Sequence, residues 1–370
     1  MYMIIVLLFL ITIIHNNNII VLSDIIKPQV IDIGALINPN DYSNEEILTV
    51  KSLIKEACKS LGFFYVVNHN ISDSLQDAVY QQMVLFFNST KIIKNSVRRQ
   101  SNNSRGYADN ELTKQKLDMK EVFDFGQEVY QNLSEAATHD QALDGENVWP
   151  FDETLSQFRE IVQSYYEECR HVSAILMEAI LSNLNCDSSE HYIKESFNQH
   201  TSFLRLNYYP IVENEDIEVS TSGNQIPAEE KLGVSRHTDA GALTILMQDM
   251  NSALEVYSGS KQDFNDGRWV PVDPIQRALT INIGDMVQVW SNDVFKAPEH
   301  RVKASRNTSR YSIPFFYNPS YDTQVHPILC NTSESSKYND IRWGYFRTKR
   351  YLGDYENNGK EIQIEDFRIV

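Results

Sequence analysis

Residues 310–317 read Arg310-Tyr-Ser-Ile-Pro-Phe-Phe-Tyr317. Every second side chain in this run is large and apolar, and a period of two predicts a β-strand with one face in a core. The positions that carry the pattern are Tyr311, Ile313, Phe315 and Tyr317. Residues 279–283, Leu-Thr-Ile-Asn-Ile, alternate in the same way. We therefore predict two half-buried strands.

Around these two segments lie more short β-prone runs, at residues 203–208, 243–248, 269–271 and 287–290. Many short strands separated by turns are typical of an antiparallel sandwich or barrel. Before residue 200 the apolar period changes to that of helices, with stripes at about 47–61, 75–86 and 156–184. Short strands are predicted at 29–33 and 63–67, and a last helix near 341–352. The predicted fold is mainly β, with a jelly-roll core wrapped by N-terminal helices and a C-terminal helix.

The chain has 370 residues and a formal net charge of −17. A surface this acidic repels phosphate groups, so we expect no nucleic acid and no stable membrane partner. No internal repeat or long low-complexity linker divides the chain. We expect a monomer with a hydrophobic segment at 1–23, an N-terminal helical and strand region at 24–195, a jelly-roll core at 196–325 and a C-terminal helix and tail at 326–370.

The N-terminal segment resembles a secretory signal in length and apolarity, although it lacks the usual basic residues before the apolar run. It favours the secretory pathway over the cytoplasm as the location. The N-x-Ser/Thr sequons would then be candidates for glycosylation; they lie at Asn70, Asn88, Asn102, Asn132, Asn307 and Asn331. Four cysteines in 370 residues do not make a disulfide framework. Cys58 and Cys169 fall on helical stripes, so we expect them to be small buried residues.

A candidate metal site begins at Ser235-Arg-His-Thr-Asp-Ala240. On a strand, residues two apart project from the same face, so His237 and Asp239 could reach one ion. His300, in Pro298-Glu-His-Arg-Val302, could return across the barrel as a third ligand. Two histidines and one carboxylate leave coordination positions open, which suits Fe(II) and O₂. A lone H-x-D pair is weak evidence, because such short motifs often arise by chance.

Arg310 and Ser312 form a second constellation, because they also lie two apart on one predicted strand. Arginine is rarely buried without a partner. A buried guanidinium beside a hydroxyl can bind a carboxylate through paired, charge-assisted hydrogen bonds. An oxidative iron enzyme needs a two-electron reductant for O₂. The dicarboxylate 2-oxoglutarate could supply it, chelating the metal with its keto-acid end and placing its far carboxylate on this pair.

Four stretches, in order along the chain, resemble the iron(II)- and 2-oxoglutarate-dependent dioxygenases that include isopenicillin N synthase. The first two are Leu61-Gly-Phe-Phe-Tyr-Val-Val-Asn-His69 and Lys120-Glu-Val-Phe-Asp-Phe-Gly126. The third is Arg205-Leu-Asn-Tyr-Tyr-Pro210 followed by His237-Thr-Asp239. The fourth runs from Ile283-Gly-Asp-Met286 through His300-Arg-Val302 to Arg310-Tyr-Ser312. The resemblance covers residues 28 to about 355.

This resemblance implies a double-stranded β-helix core and an oxidoreductase that hydroxylates, desaturates or cyclises a small organic substrate, releasing succinate and CO₂. It makes His237, Asp239 and His300 the iron ligands, and Arg310 with Ser312 the anchor of the distal carboxylate. It also suggests that Asn207 or Tyr209 helps to hold the co-substrate. Fe(II), 2-oxoglutarate and O₂ are the implied cofactors, with ascorbate as reductant.

Two alternatives stay open at this point. One is an oxidase of the same family that does not use 2-oxoglutarate and turns the Arg-x-Ser pair toward another molecule. The other is a catalytically inactive metal-binding or sensor protein on the same fold, which could hold Zn(II), since zinc outcompetes Fe(II) at equilibrium in such a site.

Overall fold

A computed structural model describes most of the chain. The described residues are 27–113, 116–127, 132–140, 144–184, 189–212, 232–259, 267–330, 333–353 and 361–369. The backbone of a short antiparallel strand pair, Ile13–His15 with Asn18–Ile20, is described as well. The rest of the predicted 1–23 segment lies outside the described residues.

The larger sheet has eight strands. In chain order they are β1 (Gln29–Asp32), β2 (Phe63–Val67), β3 (Gly106–Ala108), β4 (Glu121–Gly126), β5 (Phe203–Tyr209), β7 (Leu243–Gln248), β10 (Leu279–Ile283) and β12 (Arg310–Tyr317), where β6, β8, β9 and β11 belong to the second sheet described next. Their spatial order is β1-β2-β10-β7-β12-β5-β4-β3, with every pair antiparallel except β1 and β2. Four of the strands come from residues before 196, so this sheet joins the two halves of the chain.

The smaller sheet has four strands, which are β6 (Leu232–His237), β8 (Leu254–Ser258), β9 (Arg268–Pro271) and β11 (His300–Lys303). Their order is β6-β11-β8-β9, and all pairs are antiparallel. A compact apolar cluster that draws on both sheets includes Phe63, Tyr209, Leu246, Val256 and Val302. Two antiparallel sheets that share such a core form the predicted jelly roll.

Helices surround the sheets. The main ones are α1 (Asn44–Ser60), α2 (Asp73–Asn88) and α3 (Phe158–Ser182), followed by α4 (Asp285–Trp290) and α5 (Trp343–Gly353). Of these, α1 and α3 pack against the larger sheet. Shorter helices are Gly34–Ile37, Lys91–Ser96, Glu135–Asp140 and Ser189–Ser196, and 3₁₀ turns are Pro39–Asp41, Glu153–Leu155 and Ile364–Phe367. Two small strand pairs complete the fold, Leu112–Thr113 with Lys116–Leu117 and Gln324–Val325 with Ile341–Arg342. The predicted fold class is confirmed.

Local sequence explains where α1 begins and ends. Ser43 and Glu46 form a reciprocal capping box at its start, in which each side chain accepts a hydrogen bond from the other residue's backbone N–H. Leu61 follows as the C-cap, and Gly62 has a φ of +69°, a conformation that favours glycine. The chain therefore turns sharply out of the helix and enters β2, whose first residue, Phe63, lies beside the candidate metal site.

Three sequence predictions need correction. Residues 287–290, predicted as a strand, belong to helix α4, which begins at Asp285 directly after Gly284 and is joined by its first two N–H groups to the loop that carries Asp239. Strands β10 and β12 were predicted to be half-buried, yet their polar residues are buried too, since each strand is covered by helices on one face and by the smaller sheet on the other. The C-terminal helix starts at Trp343 rather than near residue 341.

Cys58 and Cys169 are free and buried, as predicted. Cys330 is disulfide-bonded. The asparagines of the five described sequons are exposed; they are Asn70, Asn88, Asn102, Asn132 and Asn307. Among the helices that the structure describes, none combines the length and apolar character required to span a lipid bilayer.

Candidate metal centre and co-substrate pocket

Two neighbouring strands of the smaller sheet set the position of the two histidines. In the antiparallel pairing of β6 with β11, His237 lies directly opposite His300. Their ring centroids are 4.3 Å apart. Although the two histidines lie far apart along the chain, the strand register alone brings their imidazoles to one point between the sheets.

Asp239 completes the group from a loop. The prediction that His237 and Asp239 lie on one strand is wrong, because β6 ends at His237 and Asp239 lies two residues beyond it. The carboxylate still reaches the histidines, with its Oδ1 3.6 Å from Nε2 of both rings. One ligand atom from each residue falls within 4.8 Å of the other two, and Asp239 and His300 are buried.

Hydrogen bonds to backbone carbonyl oxygens orient the two imidazole rings. His237 Nδ1 lies 2.8 Å from the Ser235 carbonyl oxygen, and His300 Nδ1 lies 3.3 Å from that of Pro298. Because a carbonyl oxygen can only accept, each Nδ1 carries the proton and each Nε2 keeps its lone pair. The donor set therefore fits a divalent metal ion, and two imidazoles with one carboxylate are the set expected for non-haem Fe(II).

Thr244 and Asn282 hold the other carboxylate oxygen of Asp239. Both donate to Oδ2, from Oγ1 and from Nδ2 respectively, the second at 2.7 Å. They face each other across β7 and β10. The sequence did not predict the role of these two residues. The only signal available was that each is a polar side chain within a mainly apolar strand.

The pKa shifts of His237 and Asp239 favour the protonation states that bind a metal cation. Burial, reinforced by the neighbouring His300 ring, lowers the pKa of His237 below its ordinary value. Burial alone would raise the pKa of Asp239, but His300, His237 and the hydrogen bonds from Thr244 and Asn282 outweigh it, and the pKa is lowered. Neutral imidazole and ionised carboxylate are the forms that bind metal.

The second predicted constellation consists of two cross-strand pairs on β12 and β5. Arg310 lies opposite Tyr209, and Ser312 lies opposite Asn207. The Arg310 guanidinium carbon is 5.0 Å from the centre of the Tyr209 ring. Asn207 Nδ2 donates to Ser312 Oγ at 3.3 Å. The structure thus brings all four predicted co-substrate residues together on one inward face.

This group retains unused capacity for hydrogen bonds. Arg310 is only 2% exposed and donates to Gln248 Oε1 at 2.9 Å, but its Nε has no hydrogen-bond partner among the described residues. The same is true of Asn207 Oδ1. A buried guanidinium with a spare N–H is costly to leave unsatisfied, so this pocket fits a bound carboxylate. Gln248, which orients Arg310, was missed by the sequence analysis.

Two adjoining cavities meet at the candidate ligands. The inner cavity, of about 560 Å³ including the part open to solvent, contains Arg310, Ser312, Asn207, Tyr209 and His300 in its wall. The outer cavity, of about 960 Å³ including the part open to solvent, extends to helix α5 and is lined there by Trp343 and Arg347. The residues that line both are Lys120, Arg205, Val234, His237, Asp239 and Phe316. The two spaces suit a co-substrate and a small-molecule substrate on either side of the metal.

A buried ion-pair network forms a polar wall of the outer cavity. Glu111 lies 2.7 Å from Arg99, 2.8 Å from Arg205 and 3.1 Å from Lys120. Asp124 lies 2.7 Å from Arg205. Burial alone would raise the pKa of Glu111, but these cations outweigh it and lower the pKa. Residues 102–120 read in the sequence as a polar stretch with no visible period, so this network could not be predicted.

Comparisons with known proteins agree with this geometry. The family model of the 2OG-Fe(II) oxygenase superfamily matches residues 200–319. A second model, for the N-terminal part of a non-haem dioxygenase in morphine synthesis, matches residues 29–152. Gibberellin 20 oxidase 2 of Arabidopsis thaliana is 31% identical over 319 residues, which cover 84% of this chain and 77% of that protein.

Solved structures show the same fold. A full-length protein of Neurospora crassa, crystallised in complex with alpha-KG and thymine, superposes with a TM-score of 0.73 at 24% identity, and the match covers 90% of this chain and 98% of that one. JOX2 in complex with 2OG, Fe and JA superposes with a TM-score of 0.69 at 25% identity, and the match covers 93% of this chain and 91% of that one.

Replacing Asn282 with leucine should weaken metal binding while the fold survives. The Asp239 carboxylate would lose one of its two orienting donors, and changes to such partners typically cost about 10–100-fold in metal affinity. Titration of the metal-free protein with Co(II), followed by visible absorption, measures the effect. Ile281→Val is the matched control, since it removes one methyl from the opposite face of the same strand. Equal affinity in Asn282→Leu and wild type would show that Asn282 does not support a metal ligand.

Proposed function

Because the chain belongs to the 2OG-Fe(II) oxygenase superfamily, we propose that His237, Asp239 and His300 hold its iron and that Arg310 and Ser312 anchor its 2-oxoglutarate. The protein is an iron(II)- and 2-oxoglutarate-dependent dioxygenase that oxidises a small organic molecule. One arrangement supports the residue assignment most strongly. The metal-binding atoms of His237, Asp239 and His300 lie close together, and the buried Arg310, which has an unsatisfied N–H, lines the same cavity.

When bound, Fe(II) would activate the oxidant O₂, and 2-oxoglutarate would supply two electrons to it and leave as succinate and CO₂. The chain's own residues provide ligation, orientation and exclusion of water. Arg310 receives the distal carboxylate, and its contacts to Gln248 and Tyr209 keep the guanidinium in one direction. The Ser312 hydroxyl, which already accepts from Asn207, has its proton left to donate to the same carboxylate.

The substrate would occupy the outer cavity. Its wall combines aromatic rings, among them Phe203 and Phe316, which stack with centroids 4.6 Å apart, with the charged groups Lys120 and Arg205. A substrate in this space must pack against rings on one side and form hydrogen bonds with an ion-paired wall on the other. The proposal therefore includes a small polar organic molecule, oxidised at a carbon that faces His237 and Asp239.

The proposal also covers the organisation of the chain. Residues 24–195 would supply part of the sheet and of the substrate wall, residues 196–325 the metal and co-substrate sites, and residues 326–370 the cover of the outer cavity. The acidic surface supports a protein that works as a monomer on a small molecule, without nucleic acid or a stable membrane partner.

Turnover of 2-oxoglutarate tests the function directly. Wild-type protein with Fe(II), ascorbate and O₂ should release succinate, faster when fractions of cell extract supply a substrate. Asp239→Ala should abolish the reaction and greatly weaken Fe(II) binding, because two imidazoles alone make a poor site. Its circular dichroism spectrum should match wild type, because the Asp239 side chain contacts the polar groups of Thr244 and Asn282 and is not part of the apolar core. Succinate release by Asp239→Ala at the wild-type rate would refute the ligand assignment.

Replacing Arg310 with glutamine should leave the distal carboxylate without its charged partner. Breaking one side of a buried ion pair costs about 3–5 kcal/mol, which is roughly two to four orders of magnitude in affinity. Ser312→Ala should cost less, about 1.5–3 kcal/mol, because one hydrogen bond to a charged group is lost. Arg310→Lys should recover part of the loss, since the charge survives without the two-pronged geometry.

Isothermal titration of the anaerobic Fe(II) protein with 2-oxoglutarate measures these differences. Arg306→Gln, the same change at an exposed position on the neighbouring turn, is the matched control and should bind as wild type does. Equal binding by wild type and Arg310→Gln would reject the anchor. Absence of binding by the wild type would assign the pocket to a different molecule.

A further inference from the structure

Arg350, on helix α5, connects the C-terminal segment, defined here as residues 361–363, to the loop that carries Asp239. Its Nη2 donates to the carbonyl oxygen of Thr238 at 3.0 Å. Thr238 is the residue between His237 and Asp239. Since Arg350 is only 8% exposed, water competes poorly for this bond and the low local dielectric strengthens it.

The remaining nitrogens of Arg350 bind the C-terminal segment. Its Nη1 donates to Gln363 Oε1 at 2.8 Å and to the Ile362 carbonyl oxygen at 3.1 Å. Its Nε lies 2.8 Å from Glu361 Oε1. The guanidinium is planar and its N–H groups have fixed directions, so the loop and the segment are held at a fixed distance from each other.

Helix α4 also holds the loop that carries Asp239. The Asp285 N–H donates to the Asp239 carbonyl oxygen at 2.8 Å, and the Met286 N–H donates to that of Gly241 at 3.0 Å. Asp285 is fully buried, and its carboxylate lies 3.8 Å from Arg350 Nη1. The backbone around Asp239 lies beyond the end of β6. It is held by the start of α4 and by the Arg350 side chain.

We propose that Arg350 is a positioning residue that makes the geometry of the metal site depend on the seating of the C-terminal segment. Glu361 and Arg350 also line the outer cavity, so this contact links the substrate space to the backbone of the metal loop. The inference rests on the proposed assignment of His237 and Asp239 as metal ligands, and it adds a residue that touches neither metal nor co-substrate.

Co(II) affinity of the metal-free, folded protein tests the proposal. Arg350→Gln should weaken Co(II) binding by about 10–100-fold, the range typical of groups that orient metal ligands. Arg350→Lys should fall between this variant and wild type, because one ammonium can reach one of the partners but not all of them. Lys349→Gln, an exposed neighbour on the same helix, is the matched control and should bind Co(II) as wild type does.

A kinetic readout separates positioning from general stabilisation. At saturating Fe(II), Arg350→Gln should lower kcat, with the KM for 2-oxoglutarate little changed, because the Arg310 anchor is untouched. If Arg350 only stabilised the fold, Arg350→Gln would lower the melting temperature and leave the Co(II) affinity of the folded protein at the wild-type value. That result would overturn the proposal.

A second variant keeps the test decisive if Arg350→Gln does not fold. The double change Glu361→Gln with Gln363→Ala keeps the bond to Thr238 but loosens the C-terminal segment, so Co(II) binding should weaken by about 3- to 10-fold, less than in Arg350→Gln. Wild-type affinity in this double variant would show that the segment has no effect on the metal. A protein that binds Co(II) through Asp239 yet never consumes 2-oxoglutarate would refute the proposed function and leave the result for Arg350 standing.

Discussion

The antiparallel register between β6 and β11 is the constraint on which the rest of the site depends. Because His237 pairs directly with His300, a shift of one residue in either strand would turn one imidazole to the opposite face of the sheet and remove it from the site. Asp239 reaches the histidines from a loop, and hydrogen bonds from several groups fix that loop or its carboxylate. They come from Thr244, Asn282, Arg350 and the N–H groups of Asp285 and Met286. Strand β6 ends before Asp239, so the position of this residue depends on contacts with neighbouring elements.

The same logic governs the co-substrate pocket in the larger sheet. The pairing of β12 with β5 places Arg310 against Tyr209 and Ser312 against Asn207. Gln248 on β7 then orients the guanidinium from the other neighbouring strand. An arginine buried to this degree is tolerated because each of its directions is assigned to a partner or kept for a ligand anion. The side chains of the pocket are therefore already in place, so the proposed binding of a carboxylate would require little rearrangement of the protein.

The sequence predicted the elements whose signals are local and periodic. Alternation predicted β10 and β12, and a short β-prone run predicted β7. Helical stripes predicted α1, α2 and α3, and the spacing of His237, Asp239, Arg310 and Ser312 suggested the chemistry. Val287 to Trp290 were mistaken for a strand, since a short apolar run has no period that separates a buried helix from a buried strand. The roles of Thr244, Asn282 and Gln248 depend on which strands are neighbours, which is a long-range property. The ion pairs of Glu111 and the contacts of Arg350 likewise join residues that are distant in the sequence.

Visible absorption of the anaerobic protein, before and after 2-oxoglutarate is added to the Fe(II) form, tests the central claim most directly. Bidentate binding of a keto acid to Fe(II) held by His237, Asp239 and His300 should produce a weak metal-to-ligand charge-transfer band. The band should be absent from Asp239→Ala and from the protein loaded with Zn(II). A wild-type protein that binds Fe(II) tightly and shows no such band with 2-oxoglutarate would contradict the assignment of this site as an iron and 2-oxoglutarate centre.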